Sequence, residues 1–482
     1  MFCDAFPGLS VRFIWTLCPV LDWVNMSTIT VRRQSMLEGS LWNKILGFAF
    51  PLAMTGILQQ LFNAADIAVV GNYAGEIGET AMAAVGANTP LISFVVNSFL
   101  GISLGSNVVI ANAVGKKDDE TVQKAAHTSI IVAIISGIIV SIIAELIAGP
   151  VLRAQNISDE AVDLAILYFR IYMAGLPVIL LYNFVAAIFR GIGNTKIPFL
   201  ALIISGGINV ILNICFVVYF HRTVDGVAAA TVISNFISSC ILLVFLSKSK
   251  TAAKFDFKKL RIDKPILKKI LKIGIPAGLQ AIVFSSANII IQSAINSLGT
   301  LVAAASSAAF NIEIFSYYVL NSFGQACTTV TGQNYGARKY DRCRRTLRLC
   351  LMEGIVIEGL MVLFLLLFGK NLIAIFRPDN PELVEIGYIR VMFITTAHLF
   401  SLFYDVMSGY MRGYGISLSP AIVTMICICG SRIIWIYTVF EYFHSFKSIM
   451  AVYPLSLGIN SVAIFILLLI KRPAKKLSRK DV

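Results

Sequence analysis

The chain has 482 residues, of which 57% are hydrophobic and only 14% are charged, with a mean hydropathy of +0.80. This composition excludes an ordinary soluble domain and predicts an all-α membrane protein with many spanning helices. The net charge of +14 does not indicate nucleic-acid binding, because the basic residues lie in short loops rather than on one folded face. The lipid bilayer is therefore an expected partner, and nucleic acid is not.

The cysteines and the absence of catalytic motifs exclude further classes. The nine cysteines are odd in number, and most lie in spans or in loops on the predicted cytoplasmic side. Neither a disulfide framework nor a structural metal site is therefore expected. The sequence contains no HExxH motif and no glycine-rich phosphate loop. We therefore expect neither an enzymatic activity nor a bound cofactor.

Apolar stretches of about 20 residues, the length that crosses a bilayer as a helix, recur along the chain. Residues 1–36 precede them as an N-terminal extension. Its semi-apolar run from Phe13 to Val24 is interrupted by Asp22 and has no basic segment before it, so no signal peptide is predicted. Twelve spans are predicted, at about 45–70, 82–113, 125–149, 161–190, 197–220, 226–247, 268–298, 302–333, 347–369, 383–411, 418–440 and 448–470.

Basic residues are distributed unevenly between the two sides of the predicted membrane domain. The loops and chain ends on one side carry 31 of the 40 Lys and Arg residues. The opposite loops carry only Arg153, Arg222, Lys370, Arg377 and Lys447. By the positive-inside rule the basic side faces the cytoplasm, so we expect a multi-pass protein with both termini in the cytoplasm.

The second half of the chain repeats motifs of the first half in the same order. The matching segments are LWNKILGFAFP (41–51) with ILKKILKIGIP (266–276), residues 97–117 with about 317–339, and RGIGNTKIP (190–198) with RGYGISLSP (412–420). The repeat predicts two six-helix bundles, residues 37–247 and 266–470. A basic linker at 248–265 joins them, and a basic tail at 471–482 follows. Six spans per repeat give both halves the same orientation, the parallel-repeat arrangement of alternating-access transporters.

Asp66 is a carboxylate within the apolar first span, where a charge near the bilayer centre costs roughly 2.5 to 3.5 kcal/mol on insertion scales. Gln59, Asn63 and Asp66 lie at i, i+4 and i+7, so they form one polar stripe on the helix. Such an acid either lines a transport route or pairs with another group for packing. Because burial disfavours its charged form, Asp66 is a candidate to bind a proton or another cation, supported by Gln59 and Asn63.

Six motifs together resemble the multidrug and toxic compound extrusion (MATE) family from about Leu37 onward. They are LEGSLWNKIL (37–46), LQQLFNAADIAVVG (58–71), RGIGNTKIP (190–198), INVILN (208–213) with DGVAAATVIS (225–234), GQNYGARKYDR (332–342) and RGYGISLSP (412–420). Each motif is weak alone, but their order and spacing across both halves are specific. The resemblance implies two six-helix bundles around a central cleft, and export of drug-like compounds in exchange for protons or sodium ions.

The resemblance also implies a cation site in the first half, formed by Asp66, Asn209, Asn213 and Thr231. Many members of the family have an aspartate where this chain has Asn213, so one acid remains in the cluster. From the residues alone, Asn209 and Asn213 share one helix face at i and i+4, where they either ligate a cation or join helices through amide hydrogen bonds. One carboxylate with several neutral oxygens suits sodium, and a proton needs fewer ligands.

The second half does not repeat the acid of the first half, because Ile291 stands where Asp66 would recur. Other carboxylates, Glu353 and Glu358, lie in the ninth predicted span. Arg432 lies in the eleventh span and must find a partner or a water-filled cavity, but the sequence identifies none. The coupling ion is therefore expected in the first bundle, with a single titratable group.

Three residues of the second half are candidates for the substrate cleft. Glu313 has Tyr317 one turn on, and an acid beside an aromatic ring suits an organic cation; the alternative is a paired glutamate. Asp405 shares a helix face with His398 and Arg412, at i−7 and i+7. An ion pair at Asp405 and a role in transport both remain open.

The expected function is secondary active export of organic, mainly cationic compounds by alternating access. A proton or a sodium ion would be the coupling ion, and a monomer in the bacterial cytoplasmic membrane is expected. The main alternative is a flippase for lipid-linked oligosaccharides, which should line its cleft with several basic residues. Arg170, Arg390 and Arg432 are the only basic residues expected within the membrane rather than near its surface, so this alternative is less favoured, as is a channel.

Overall fold

The computed structural model describes residues 36–154, 159–375 and 380–474, and within these ranges the protein is helical without β-strands. The first half contains α1 (Leu41–Tyr73), α2 (Gly78–Lys116), α3 (Asp119–Arg153), α4 (Asp159–Ala174), α5 (Leu176–Gly191), α6 (Lys196–Tyr219) and α7 (Val224–Ser247). The second half contains α8 (Lys264–Asn296), α9 (Thr300–Gly336), α10 (Tyr340–Ala374), α11 (Pro381–Gly413), α12 (Leu418–Phe443) and α13 (Phe446–Lys471). The predicted extension (1–35) and most of the basic tail (475–482) lie outside the described residues.

The described helices account for the twelve predicted spans. Ten are long and apolar enough to cross a membrane, and α4 with α5 form an eleventh, bent span. The other helix, α9, has 37 residues but is less apolar, since polar residues such as Glu313, Thr329 and Asn334 are buried along it. It packs against α1, α2, α10 and α11, so these polar groups contact protein rather than lipid. The prediction of an all-α membrane protein with two bundles around a central cleft is confirmed.

The predicted fourth span, 161–190, is broken rather than continuous. Helices α4 and α5 meet at Gly175 with a bend of 49°. A Cβ atom on Gly175 would lie 2.2 Å from Cγ2 of Val232 on α7, so only glycine allows this close approach. Pro177 then occupies the first turn of α5, where its missing N–H is tolerated. The prediction of one continuous span therefore missed a sharp bend at Gly175-Leu176-Pro177.

The two halves pack tightly where the matched helices α2 and α9 end. A Cβ on Gly115 would lie 2.0 Å from the carbonyl oxygen of Gln333, and one on Gly336 would lie 2.1 Å from that of Asn112. The matched glycines thus let the two helix backbones touch. Two turns earlier, Asn107 exchanges two hydrogen bonds of 3.2 Å with Thr329. This end of the interface is the end that carries the basic loops.

The linker between the halves is partly docked on the first bundle. Ala253 and Phe255 are buried in the hydrophobic core formed with α2, α3, α5 and α7. The backbone N–H of Asp256 donates to Nε2 of His127 at 3.2 Å. The basic side chains of Lys254 and Lys258 remain exposed. The apolar residues of the linker therefore hold it against the bundle, and its lysines face outward.

Candidate functional site

Asp66 lies deep in the first bundle, where its residue is 6% exposed. Helix α1 carries Phe62 one turn before Asp66, and the Phe62 ring fills the space left by Gly206 on α6. A Cβ on Gly206 would lie 1.9 Å from Cε2 of Phe62, so a larger residue there would push the two helices apart. This contact brings Asp66 of α1 within hydrogen-bond reach of the polar face of α6.

Three polar side chains from α6 and α7 surround the carboxylate of Asp66. Asn213 Nδ2 donates to Asp66 Oδ1 at 2.5 Å, and Thr231 Oγ1 lies 3.2 Å from Asp66 Oδ2, which it reaches as a donor. Asn209 completes the cluster, with its Nδ2 3.4 Å from Thr231 Oγ1 and its Oδ1 3.4 Å from Asn213 Nδ2. The structure therefore brings together all four residues of the predicted cation site.

The end of α6 departs from α-helical geometry directly after this cluster. Residues Cys215–Tyr219 form a π-helical turn, beginning two residues after Asn213. Such turns are rare and occur frequently at functional sites. The wider turn changes the direction of the residues that follow Asn213 without interrupting the helix. No sequence signal that we considered predicts this turn.

The cluster offers oxygen atoms and contains no positive charge. Asp66 forms no ion pair with a basic side chain within 4 Å among the described residues. Oδ1 of Asn213 is buried and has no hydrogen-bond partner, although buried polar oxygens are normally satisfied. A free amide oxygen next to an unpaired carboxylate fits a small cation. The donor set is thus suitable for sodium, and the carboxylate alone is suitable for a proton.

Two tyrosines of α4 also lie near Asp66. Tyr168 and Tyr172 interact electrostatically with its carboxylate, and their ring centroids are 6.1 Å apart. Their spacing of four residues puts them on one helix face, and this was the only sequence signal that could have identified them.

The other two residues of the predicted polar stripe do not join the cluster. Gln59 is half-buried and Asn63 is exposed, and neither forms a side-chain hydrogen bond to Asp66 among the described contacts. Their supporting role stays a prediction.

Glu313 forms a buried ion pair instead of presenting a free acid to the cleft. Arg390 Nη2 lies 2.6 Å from Glu313 Oε1, and its Nε contacts both carboxylate oxygens at 3.2 Å. Arg390 Nη1 also donates to Ser306 at 2.6 Å. The ion pair is the alternative that the sequence left open for Glu313, and a role of Glu313 in the cleft stays a prediction. Tyr317 is half-buried beside Tyr318, with ring centroids 5.9 Å apart.

Asp405 also forms an ion pair, on the helix face that the sequence indicated. Arg412 Nη2 lies 2.9 Å from Asp405 Oδ1, and Asn321 Nδ2 donates to Oδ2 at 3.2 Å. His398, one of the residues expected on the same face, contacts Ser316 of α9 instead, at 2.8 Å. Asp405 is therefore neutralised by its own helix, and its role in the cleft stays a prediction.

A second buried polar chain links α9, α10 and α11. Ser316 hydrogen-bonds to Glu358, and Ser316 Oγ also lies 2.8 Å from His398 Nδ1. Glu358 is fully buried, and its second oxygen has no partner in the described chain. Glu353, one and a half turns earlier on α10, is buried as well. The sequence identified both glutamates as available acids but did not connect either of them to His398.

Arg432, for which the sequence identified no partner, is buried among neutral groups of the second bundle. Its Nη1 donates to Asn288 Oδ1 at 2.8 Å, and its Nε donates to Ser456 Oγ at 3.4 Å. The guanidinium carbon lies 5.0 Å from the ring centre of Phe284 and 4.6 Å from that of Tyr453. The partners lie on α8 and α13, too far along the chain for a spacing rule to find.

The sequence and the fold are similar to those of known transporters. The probable multidrug resistance protein YoeA of Bacillus subtilis is 26% identical over 407 residues, which cover 83% of this chain and 87% of the relative. The probable multidrug resistance protein NorM of Thermotoga maritima is 25% identical over 406 residues, covering 83% and 86%. A crystal structure of MATE in complex with MaL6 has a TM-score of 0.84 at 23% identity, covering 93% of this chain and all of that one.

The family assignment rests on a match in each half of the chain. The MatE family model matches residues 51–215 and residues 276–438. These two segments begin at Pro51 and Pro276, the residues that the internal repeat pairs, and together they cover most of the chain. The solved structure adds that the fold is the same from the first helix to the last. The protein therefore belongs to the MatE family of membrane transporters.

Proposed function

We propose that this protein is a secondary active efflux antiporter of the bacterial cytoplasmic membrane. It exports organic, mainly cationic compounds by alternating access, as a monomer with both termini in the cytoplasm. A single coupling cation, a proton or a sodium ion, enters in exchange. The observation that carries the proposal is a buried carboxylate, Asp66, surrounded by neutral oxygen donors and without a basic partner in the described chain.

The names of similar proteins support the substrate class. YoeA and NorM are both described as probable multidrug resistance proteins, and the Staphylococcus haemolyticus protein MepA, 20% identical over 432 residues, is a multidrug export protein. An exporter of diverse compounds needs an adaptable cleft rather than one set of directional hydrogen bonds. Tyr317 and Tyr318 of α9 provide aromatic surface for such a cleft.

The mechanism follows from the charge of Asp66. A cation that reaches the cluster neutralises the carboxylate, which removes the cost of an isolated charge among apolar helices. Helices α1 and α6 can then repack around an uncharged Asp66. If the repacking weakens binding of the organic substrate, the substrate must weaken binding of the cation by the same factor. Exchange of the two ligands is the result.

The membrane potential supplies the driving force in this scheme. Moving one elementary charge across the membrane releases about 2.3 kcal/mol per 100 mV. That is equivalent to roughly a fortyfold ratio of concentrations at equilibrium, since about 1.4 kcal/mol corresponds to a factor of ten. One coupling cation per cycle is therefore sufficient for export against a gradient.

The lipid-linked oligosaccharide flippase is less consistent with the arginines of the described chain. Arg390 is paired with Glu313, and Arg170 lies 3.0 Å from Glu145. Arg432 is 1% exposed and faces aromatic rings. No group of unpaired basic side chains is therefore presented in the described part of the chain to a polyanionic lipid headgroup.

The test is transport by purified protein in proteoliposomes with separately imposed proton and sodium gradients. We expect uphill export of a cationic dye to follow one of the two gradients, and Asp66→Asn to reduce it about a hundredfold, to background, while the protein still folds. Asp163→Asn is the matched control, because its side chain is 81% exposed on α4. Uphill export that persists in Asp66→Asn would contradict the proposal.

A further inference from the structure

The internal repeat predicts which residues of the second bundle correspond to the Asp66 cluster. The separation of 225 positions that relates Pro51 to Pro276 also relates α1 to α8. Gln59, Asn63 and Asp66 therefore correspond to Phe284, Asn288 and Ile291. Ile291 is buried and apolar, so the carboxylate is replaced. Asn288 has the same side-chain amide as its counterpart Asn63.

The correspondence between α6 and α12 contains one irregularity. RGIGNTKIP and RGYGISLSP are 222 positions apart, which would pair Asn209 with Ser431. Helix α12 has one π-helical turn before this point, Met425–Gly430, and another after it, Ile436–Phe440, whereas the described π-helical turn of α6 comes only after it. A π turn takes one residue more than an α turn. The extra residue brings Arg432 to the position that Asn209 occupies on α6.

The last helices of the two bundles complete the comparison. Helices α7 and α13 begin at Val224 and Phe446, also 222 positions apart, so Thr231 corresponds to Tyr453 and Ser234 to Ser456. The four groups that contact Arg432 are Phe284, Asn288, Tyr453 and Ser456. Tyr453 corresponds to Thr231 of the Asp66 cluster, Ser456 to Ser234 on the same helix, and Phe284 and Asn288 to the stripe residues Gln59 and Asn63 of α1. Arg432 therefore lies between α8, α12 and α13, the counterparts of the three helices that form the Asp66 cluster.

The surroundings of Arg432 are those of a cation site. The amide oxygen of Asn288 and the hydroxyl oxygen of Ser456 accept hydrogen bonds from the guanidinium, and two aromatic rings face it. Aromatic faces attract a cation, particularly one that has been removed from water. No carboxylate lies within 4 Å of Arg432 among the described residues. Its charge is thus held by neutral oxygens and ring faces alone.

We infer that the second bundle contains a cation site permanently filled by the guanidinium of Arg432, between the helices that correspond to those of the Asp66 cluster in the first bundle. The site is selective for a small planar organic cation of the guanidinium class. Because arginine stays protonated and is tethered to α12, this site does not exchange its cation. The inference rests on the proposed function, since it takes the Asp66 cluster as the site that exchanges its cation. With Arg432 fixed in the second bundle, one exchangeable cation per cycle remains.

The test removes the side chain of Arg432 and adds free guanidinium or urea in solution. Purified Arg432→Ala protein is heated in detergent with increasing millimolar guanidinium chloride, and in parallel with urea, which is the neutral molecule of nearly the same shape. A ligand that binds the folded state raises the melting temperature with concentration. We expect guanidinium, but not urea, to raise the melting temperature of Arg432→Ala by several degrees and to leave the wild type unchanged at these concentrations.

A double variant tests whether the binding occurs in this site. Asn288→Ala in the Arg432→Ala background removes the amide oxygen, so the guanidinium response should fall at least tenfold in apparent affinity. Ile433→Ala, a change on the adjacent lipid-facing position that is 38% exposed, should give no guanidinium response. Equal responses to urea and guanidinium, a response in Ile433→Ala, or none in Arg432→Ala would each overturn the inference.

A second pair of variants applies if Arg432→Ala does not fold. Arg432→Lys keeps a cation in the site, and Arg432→Met keeps only the volume of the side chain. We expect Lys to retain transport within about threefold of wild type and Met to lose it at least tenfold. Equal transport by the two variants would overturn the inference. A failure of ion coupling in wild-type vesicles would contradict the antiport proposal alone, because guanidinium binding to Arg432→Ala does not depend on transport.

Discussion

The two bundles bury charges of opposite sign between corresponding sets of helices. In the first bundle Asp66 is 6% exposed and is bonded to Asn213 and Thr231. In the second bundle Arg432 is 1% exposed and is bonded to Asn288 and Ser456. Each charge lacks a partner of opposite sign within 4 Å among the described residues. The duplicated fold therefore buries a charge among polar side chains of corresponding helices twice, with the charged residue on α1 in the first bundle and on α12 in the second.

The largest expected effect comes from restoring the missing acid in the second bundle. Ile291→Asp places a carboxylate at the counterpart of Asp66, where Arg432 can neutralise it. We expect this variant to be produced in folded form within about twofold of wild type. In an Arg432→Met background the same acid is unpaired, and the folded yield should fall at least tenfold. Fluorescence-detected size exclusion of solubilised membranes measures the yield.

A matched acid on the lipid-facing side controls for insertion itself. Ile289→Asp introduces the same carboxylate two residues away, at a position that is 54% exposed. Its yield should be low whether or not Arg432 is present. If Arg432→Met has no effect on the yield of Ile291→Asp, the two positions do not correspond and the comparison between the bundles fails.

The next effect concerns the hydroxyl that contacts Asp66 in the first bundle. Thr231→Val removes a donor 3.2 Å from Asp66 Oδ2 and keeps the shape of the side chain. A hydrogen bond to a charged group contributes about 1.5 to 3 kcal/mol and stabilises the ionised carboxylate, so its loss should raise the affinity of Asp66 for a proton about tenfold or more. Thr231→Ser retains the hydroxyl and should remain near wild type. Cation-dependent melting of the purified protein measures the affinities.

A smaller change follows from adding an acid to the first bundle. Asn213→Asp places a second carboxylate next to Asp66, whose Oδ1 is 2.5 Å from Asn213 Nδ2. We expect the number of cations bound at saturation to rise from one to two. Equilibrium binding of radioactive sodium, together with proton uptake measured by titration, counts them. A count that stays at one would mean that Asn213 does not face the ion.

The smallest effect is expected at the acids of the second bundle. Glu358→Gln removes a buried carboxyl whose described partner is Ser316, but it leaves the Asp66 cluster unchanged. We expect uphill export to stay within about twofold of wild type, with the same number of coupling cations. A loss of coupling comparable to that of Asp66→Asn would show that the second bundle also exchanges an ion.

The sequence predicted the helices and the repeat well, because membrane spans need long apolar runs and because motifs recur in order. It did not predict the bend at Gly175, because the apolar residues on both sides were assigned to one span although Gly175 and Pro177 interrupt them. The mean hydropathy of α9 is lower than that of the other spans. This helix is surrounded by protein, so it can bury polar residues there. The spans that contact lipid were therefore the easiest to recognise.

The first-bundle cluster was predicted residue by residue, and the structure brings those four residues together. The family resemblance was needed for this, because Asp66 and Thr231 are 165 positions apart. The partners of Arg432 could not be predicted, because the π-helical turn at Met425–Gly430 shifts the helix by one residue. Spacing rules that assume a regular α-helix pair Asn209 with Ser431 instead of Arg432. Tyr168 and Tyr172 were missed because nothing in the sequence orients α4.

The most direct test of the central claim is to count the exchangeable cations of the purified transporter. Saturation binding of radioactive sodium and proton uptake are measured on the same preparation of wild type and Asp66→Asn, with Asp163→Asn as the control. We predict one exchangeable cation per molecule in wild type and in the control, and none in Asp66→Asn. Two cations in wild type, or one that remains in Asp66→Asn, would contradict the account.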